Sequence, residues 1–549
     1  MNAMTDVRMA AGGFGDAAPL VAFLVVVSVT LLLCLLFGAD SNGPEDMYSA
    51  RHSLKPWRNS LALTGDSISV LTLLTTTGLV AVAGYDGTAL AAATVGALAV
   101  LLVLAQPLRT MGRYTLGDTL DARFGRTTVR VAATVATLSF CIPLTVVQLT
   151  AAGRATAALV GLTGTGPAQL CTVFIGVMMI CAAALTGMRG NTMLQAVKTV
   201  VLFSCMGLLT LVLMSKIGWS LDRLLTDAAQ SSADPESYYA PGQFRGTGLT
   251  ERVDLISMQV TVVLGAAVAP HMIMRVKAAE HGAAARRSVT YAIGMVGAFC
   301  VLAVVLGLGA AALAGDRARQ GFDPQSAASL LQLVEKLSDE WGGGLLVAMT
   351  ISAIFLTSLT VVAALALSAG AALVHDLCGQ RFRSGGAGLD GEVRAMRWAT
   401  PLVGVLAVAA SVAAQSWNIQ FLAQFAVTVA ASAILPPLVY SLFWKRCTHE
   451  GLVWSVYTGL GSSVVLQLFG PAVSGTPGSL FPAADFAWFP LTTTGLVSVP
   501  AGFAAGWVVS RFFSGEGDPA PADPRAALAG SSVDDEYGYD ARIRELLSL

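Results

Sequence analysis

The chain has 549 residues, 55% of them hydrophobic and 12% charged. That charged share is about half the norm for soluble proteins, so a soluble globular protein is excluded. The formal net charge of -1 points to no charged partner, because charge here is divided among loops, and nothing suggests nucleic-acid binding.

Apolar runs long enough to cross about 30 Å of hydrocarbon, roughly 20 residues each, recur along the whole length. They predict an all-α, multi-pass membrane protein with about thirteen spans. These fall near 19–38, 60–83, 88–108, 131–152, 167–186, 192–215, 253–275, 289–314, 344–375, 397–414, 419–443, 452–470 and 488–511. The first run, Pro19 to Gly38, is longer than a signal-peptide core and lacks a strongly basic start, so it reads as a retained span.

Lys and Arg crowd the connections that follow odd-numbered spans. Arg109, Arg113, Arg123, Arg126 and Arg130 follow the third, and Arg275, Lys277, Arg286 and Arg287 the seventh. Arg381, Arg383, Arg394 and Arg397 follow the ninth, and Lys445 with Arg446 the eleventh. The 471–485 segment, after the twelfth, has no Lys or Arg. The positive-inside rule then puts the N-terminus outside and the C-terminus in the cytoplasm. The expected location is a bacterial cell membrane. Loops near 216–251 and 315–343 would lie outside, and the tail from Ser514 is expected to be mostly disordered.

The second span contains "SLALTGDSISVLTLL". A carboxylate in hydrocarbon is costly and is seldom kept without a use. Glycine weakens a helix interior, and Asp and Ser compete for its backbone. Thr64-Gly65-Asp66-Ser67 therefore predicts a local unwinding, which survives at membrane depth only if buried or lining a cavity. Freed carbonyls there can hold a small cation, and the next half-helix can face an anion. A helix-packing face of small and hydroxyl residues is the alternative.

Gln148 in the fourth span and Gln259 in the seventh are amides at depth, either interhelical glue or substrate contacts. The seventh span ends "VVLGAAVAPHMIMRV", where Gly265 and Pro270 break the helix and His271 is expected to make a structural hydrogen bond. The ninth carries "SAIFLTSLTVVAA", which puts the hydroxyls of Thr357, Ser358 and Thr360 on neighbouring positions. No Arg or Lys stands clearly at the midplane of a span to meet an anion. Most of the eight cysteines lie within apolar runs and form no CxxC pair, so neither a disulfide framework nor a zinc site is expected. No nucleotide-binding glycine loop, metal-ligand spacing or nucleophile motif is present, and the chain is not expected to be an enzyme.

Several stretches, in order, resemble the sodium:solute symporter family, and within it the acetate/monocarboxylate permease branch. They are "LALTGDSIS" with "GYDG", "PLRTMGRYTLGDTLDARFG", "TGMRGNTMLQAVKTVVL", "APHMIMRVKAAEHGAAARRSVTYAIG", "AGAALVHDL" and "NIQFLAQFAVTVAASAILPPLVYSLFWKRCTHEG". The resemblance extends from about Asn59 to Trp454. It implies two inverted five-helix repeats, each opening on a broken helix. The chain then divides into 1–59, a first repeat 60–215, an outer loop 216–251, a second repeat 252–446, two accessory spans in 447–513 and a tail 514–549.

The resemblance also implies a sodium site made by the backbone carbonyls of Thr64, Ser67 and Ile354 and the hydroxyls of Thr357 and Ser358. Asp66 would support the cation electrostatically, and would itself be held ionised mainly by that cation. Thr64, Gly65, Gln148, Gln259 and Gly265 are the expected substrate contacts. The branch usually has a tyrosine where Ser67 stands and an apolar residue where Ser358 stands. The extra hydroxyl favours sodium over protons as coupling ion. The expected activity is symport of sodium with a small organic anion such as acetate, propionate or pyruvate across a lipid bilayer. Uptake of a neutral amino acid or sugar, and a membrane sensor that has lost transport, are the alternatives.

Overall fold

The computed structural model describes residues 25–30, 32, 36, 44–49, 54–159, 162, 164–232, 234–243, 248–314, 328–338, 343–379, 388–417, 420–476 and 479–513. Among them there is no β-strand, only two isolated bridges, Leu54 with Ala279 and Ser474 with Phe481. Eleven helices among the described residues are long and apolar enough to cross a membrane. The protein is a multi-pass, helical membrane protein.

In chain order the helices used below are α1 (Pro44–Ser49), α2 (Pro56–Ser67), α3 (Val70–Thr110), α4 (Leu116–Asp121), α5 (Thr127–Leu159), α6 (Thr165–Lys216), α7 (Leu221–Gln230) and α8 (Leu249–Ala267). They continue with α9 (Pro270–Lys277), α10 (Gly282–Ala314), α11 (Ala328–Ser338), α12 (Gly343–Ala371) and α13 (Gly388–Ala413). The last are α14 (Gln420–Val429), α15 (Leu435–Phe443), α16 (His449–Leu468) and α17 (Gly495–Phe512).

The expected count of thirteen is not reached among the described residues. The first expected span, most of the 315–343 loop and the tail from 514 lie outside them. The second and third spans run together, because α3 passes through Gly84–Gly87 without a loop and bends only at Ala83 (φ −140°, ψ 52°). The piece before the bend continues the broken second span. The same occurs in α6, where the fifth and sixth spans meet at Gly187 (φ 53°, ψ −161°). That positive φ is the reason a glycine is needed at the turn.

Both expected helix breaks are present. The first lies between α2 and α3, at Ile68 (φ −99°, ψ 109°) and Ser69 (φ −106°, ψ 168°). It falls just past the expected tetrapeptide, whose residues form the last turn of α2. The second lies between α8 and α9, where Pro270 opens α9. Pro lacks the N–H that would continue α8 and has the φ that suits a first helical position. Helix α12 runs through the middle of the bundle, with 89% of its apolar window buried. It packs on α5, α6 and α2, so its polar side chains face protein rather than lipid.

Candidate functional site

A broken helix frees backbone groups, and each needs a partner. At the first break Ser69 caps α3, its hydroxyl accepting from the Thr72 N–H at 3.0 Å. The Leu71 N–H donates to Gln148 Oε1 at 3.5 Å. Lys198, on α6, donates from Nζ to the carbonyl of Gly65 and, at 2.5 Å, to that of Ile68. His271, on α9, hydrogen-bonds the backbone of Asp66. These side chains leave the Ser67 carbonyl to other partners. Gly65 admits the α6 approach: a Cβ there would stand 2.6 Å from Gln195 Oε1.

Asp66 is buried and doubly held. Its Oδ2 accepts from Arg275 Nε at 2.7 Å, and its Oδ1 accepts from Gln195 Nε2. Arg275 also donates from Nη1 to Thr192 Oγ1 at 2.5 Å. The side chains of Asp66 and Arg275 are each 1% exposed. Lys198 is equally buried and makes no ion pair among the described residues. One acid thus faces two bases at the break. Neither base lines the cavity described below. Asp66 was expected to be held ionised mainly by a bound cation; the structure gives it Arg275 as a partner. Lys198 and Arg275 sit near the ends of their predicted spans, where long basic side chains commonly reach out to the interface. That position hid them.

The hydroxyls of α12 divide into two groups. Those of Thr350, Ser352 and Thr360 bond back to the carbonyl four residues earlier, at 2.8, 2.7 and 2.9 Å. This is the ordinary way a helix satisfies Ser and Thr. The hydroxyls of Thr357 and Ser358 are buried and have no hydrogen-bond partner among the described residues, and the same is true of Thr64 on α2. A buried hydroxyl without a partner is costly, and these three lie on two helices that pack against each other. Ile354 lies one turn before Thr357 and Ser358 on the same helix.

Beside the first break lies a cavity of about 230 Å³. Its walls include Asp66, Ser67, Ser69 and four threonines of α3 (Thr72, Thr75, Thr76, Thr94), with Gln148, His271 and Thr493. His271 stacks on Phe140 with ring centroids 6.0 Å apart, and its Nδ1 is buried without a partner. Of the expected substrate contacts, Gln148 lines this cavity, whereas Thr64, Gly65, Gln259 and Gly265 do not. Gly265 instead allows α8 to approach α14: a Cβ there would be 2.2 Å from the Val427 carbonyl.

A second buried polar group was not singled out from the sequence. His375, in the π-helical turn that ends α12, holds Glu392 through Nδ1 at 2.6 Å and faces both oxygens of Asp118 through Nε2 at 3.1 Å. Asp118 is also the third residue of α4, whose capping box with Thr115 it completes. Arg130 pairs with Asp118 at 3.3 Å and Asp121 at 2.7 Å, and Thr115 donates to Asp376 at 2.6 Å. Burial pushes the Asp118 carboxyl up, but the charges of His375 and Arg130 outweigh it and hold it below the usual carboxylate range. The two stretches involved, "YTLGDTLDARFG" and "ALVHDL", read separately as a loop and a helix end. Only their packing makes them one group.

The model of the sodium:solute symporter family matches residues 47–459. The chain is 36% identical over 498 residues to a protein of Corynebacterium glutamicum named monocarboxylic acid transporter, covering 88% of this chain and 90% of that one. It is 32% identical over 487 residues to the uncharacterized symporter YwcA of Bacillus subtilis, covering 88% and 92%. Its fold is similar to the substrate-bound, outward-open structure of a sodium-coupled sialic acid symporter. There the TM-score is 0.71, at 14% identity, over 91% of this chain and 98% of the other. Family, relatives and fold are those of membrane transporters rather than enzymes. The match along the core, the two broken helices and the buried polar site between them agree: this chain belongs to the sodium:solute symporter family.

Proposed function

We propose that the protein couples inward movement of sodium to uptake of a small monocarboxylate such as acetate, propionate or pyruvate. The observation that carries the sodium reading is the set of buried, unpartnered hydroxyls of Thr64, Thr357 and Ser358 beside a broken helix. Sodium is a hard cation that prefers oxygen ligands, as calcium and magnesium do. The carbonyls of Thr64, Ser67 and Ile354 and the hydroxyls of Thr357 and Ser358 would supply five.

The substrate reading is supported by the excess of base over acid at the break and by the small, mostly apolar cavity with a few hydroxyl and amide groups. The name of the Corynebacterium relative points the same way. A monoanion suits that excess of base, whereas a neutral sugar or amino acid leaves it unanswered. In this reading the N-terminus is outside and the C-terminus cytoplasmic, as the Lys/Arg distribution requires.

Uptake of labelled acetate into proteoliposomes, with a sodium gradient, a pH gradient or neither, tests the reading. Unlabelled monocarboxylates, amino acids and sugars serve as competitors. Sodium-dependent uptake inhibited by propionate and pyruvate is expected. Uptake that ignores sodium and follows only the pH gradient would remove the sodium assignment. Inhibition by sugars or amino acids alone would remove the substrate assignment.

A further inference from the structure

The amine of Lys198 is fully buried, with two carbonyl partners and no carboxylate partner among the described residues. A buried charge is normally paired with an opposite charge. Here the one nearby acid, Asp66, already holds Arg275 at 2.7 Å. The two carbonyls that Lys198 takes, Gly65 and Ile68, flank Asp66 and Ser67, and those two residues form part of the cavity wall. Lys198 Nζ therefore stands behind the cavity wall, and Asp66, already paired with Arg275, is the one acid near it among the described residues. We propose that Lys198 sets the charge selectivity of transport: its uncompensated charge makes the cavity take monoanions in preference to neutral solutes of the same shape.

This inference rests on the monocarboxylate reading above and adds the residue that enforces it. Lys198 need not touch the substrate. It acts through the field it imposes across the Gly65–Ile68 segment, where low polarity and exclusion of water strengthen it. The other charged and titratable groups facing it are Asp66 from α2 and His271 and Arg275 from α9. Helix α12 brings no titratable side chain to this level, since the residues from Gly343 to Ala371 include none. Arg275 is engaged by Asp66, so Lys198 is the base whose charge is free to select.

The test compares propionate with propionamide, its neutral isostere, as competitors of labelled propionate uptake in proteoliposomes at fixed sodium. For the unmodified protein, propionate should compete at least a hundredfold better than the amide. Lys198→Gln keeps an N–H donor for the carbonyls and loses the charge. It should narrow that preference at least tenfold, by raising KM for propionate with kcat changed less. Lys198→Arg, which keeps the charge, should restore most of the preference. If Lys198→Gln fails to fold, Lys198→Met, which keeps the length of the side chain without the charge, is measured in its place and should narrow the preference in the same way. An unchanged preference in Lys198→Gln or Lys198→Met, or an equal loss in Lys198→Arg, would overturn the assignment. Failure of propionate to compete in the unmodified protein would instead overturn the monocarboxylate reading, and this inference with it.

Discussion

The two buried groups of charged side chains differ in what compensates them. At the helix break, Lys198 and Arg275 outnumber Asp66, and the group adjoins a cavity. At the end of α12, Asp118, Asp121, Asp376 and Glu392 outnumber His375, Arg130 and Lys277, and the group is closed in by α4, α5 and α13. In the second group the side chains bond mainly to each other, and their reach is from one helix end to the next. It serves as a polar latch between the α4 turn and the last turn of α12. In the first group Asp66 and His271 line a cavity, and the two bases stand behind them. An unmatched charge beside a cavity points to a ligand, whereas an unmatched charge inside packing points to a structural tie.

The sharpest way to break this contrast is Asp66→Asn. It removes the acid that Arg275 pairs with and leaves two buried bases unopposed. Breaking a buried pair from one side costs about 3–5 kcal/mol. Thermal stability in detergent should fall accordingly, and uptake per folded molecule should be nearly abolished. Asp66→Glu should retain partial activity with weaker sodium activation. A well-folded Asp66→Asn protein with normal sodium-driven uptake would end the claim that this acid serves coupling.

The latch should respond differently. His375→Gln removes a charged link between Asp118 and Glu392, worth about 1.5–3 kcal/mol for hydrogen bonds to charged groups. Stability should fall by that order, while the preference for propionate over propionamide stays as it was. A changed preference would merge the two groups into one functional unit. The acid response has a definite sign. The Asp118 carboxyl is depressed in the folded state, so the stability it contributes is complete above the ordinary carboxylate value, about 3.9. It is lost only as pH falls through the lower folded value. Mild acidification to about pH 5 should therefore leave the Asp118 contacts intact. A stability loss in Asp118-containing protein, absent from Asp118→Asn, between pH 7 and 5 would contradict this.

A smaller effect separates the two kinds of hydroxyl on α12. Thr357→Ala and Ser358→Ala should each raise the sodium concentration for half-maximal uptake by about five- to tenfold, since a lost ligand costs about 1 kcal/mol or more. Thr360→Ala removes a hydroxyl that bonds to its own helix at 2.9 Å, so its sodium dependence should barely move. Equal effects at all three positions would mean that the unpartnered hydroxyls have no special role. The mildest intervention concerns orientation. Single cysteines in the 109–130 stretch, in a background freed of native cysteines, should resist an impermeant thiol reagent in intact cells, and cysteines in 471–476 should react. The reverse pattern would invert the topology without touching the site.

Much of the fold was legible because membrane burial leaves a local mark. Runs of apolar residues locate the helices, and Gly65-Asp66-Ser67 and Gly265 with Pro270 locate the two breaks to within a few residues. The Thr357–Ser358 pair was legible as well, since hydroxyls in an otherwise apolar helix stand out. That these two lack a partner while Thr360 has one was not. Both kinds look alike in the chain, and rotamer and neighbours decide between them.

Sequence alone thus determined the class of protein, the order of its helices, the places where two of them break and the family to which it belongs. These follow from hydropathy, helix propensity and motif order, which act within a turn or two of each residue. Tertiary structure alone decided which charges meet. Lys198 reaches the Gly65 carbonyl across 133 residues, and Arg275 reaches Asp66 across 209. Charge compensation depends on distance in space and on the polarity of what lies between. Neither quantity is written in the spacing of residues along the chain, so the meeting of two bases with one acid at the break, and the cavity beside it, emerge only when the helices pack.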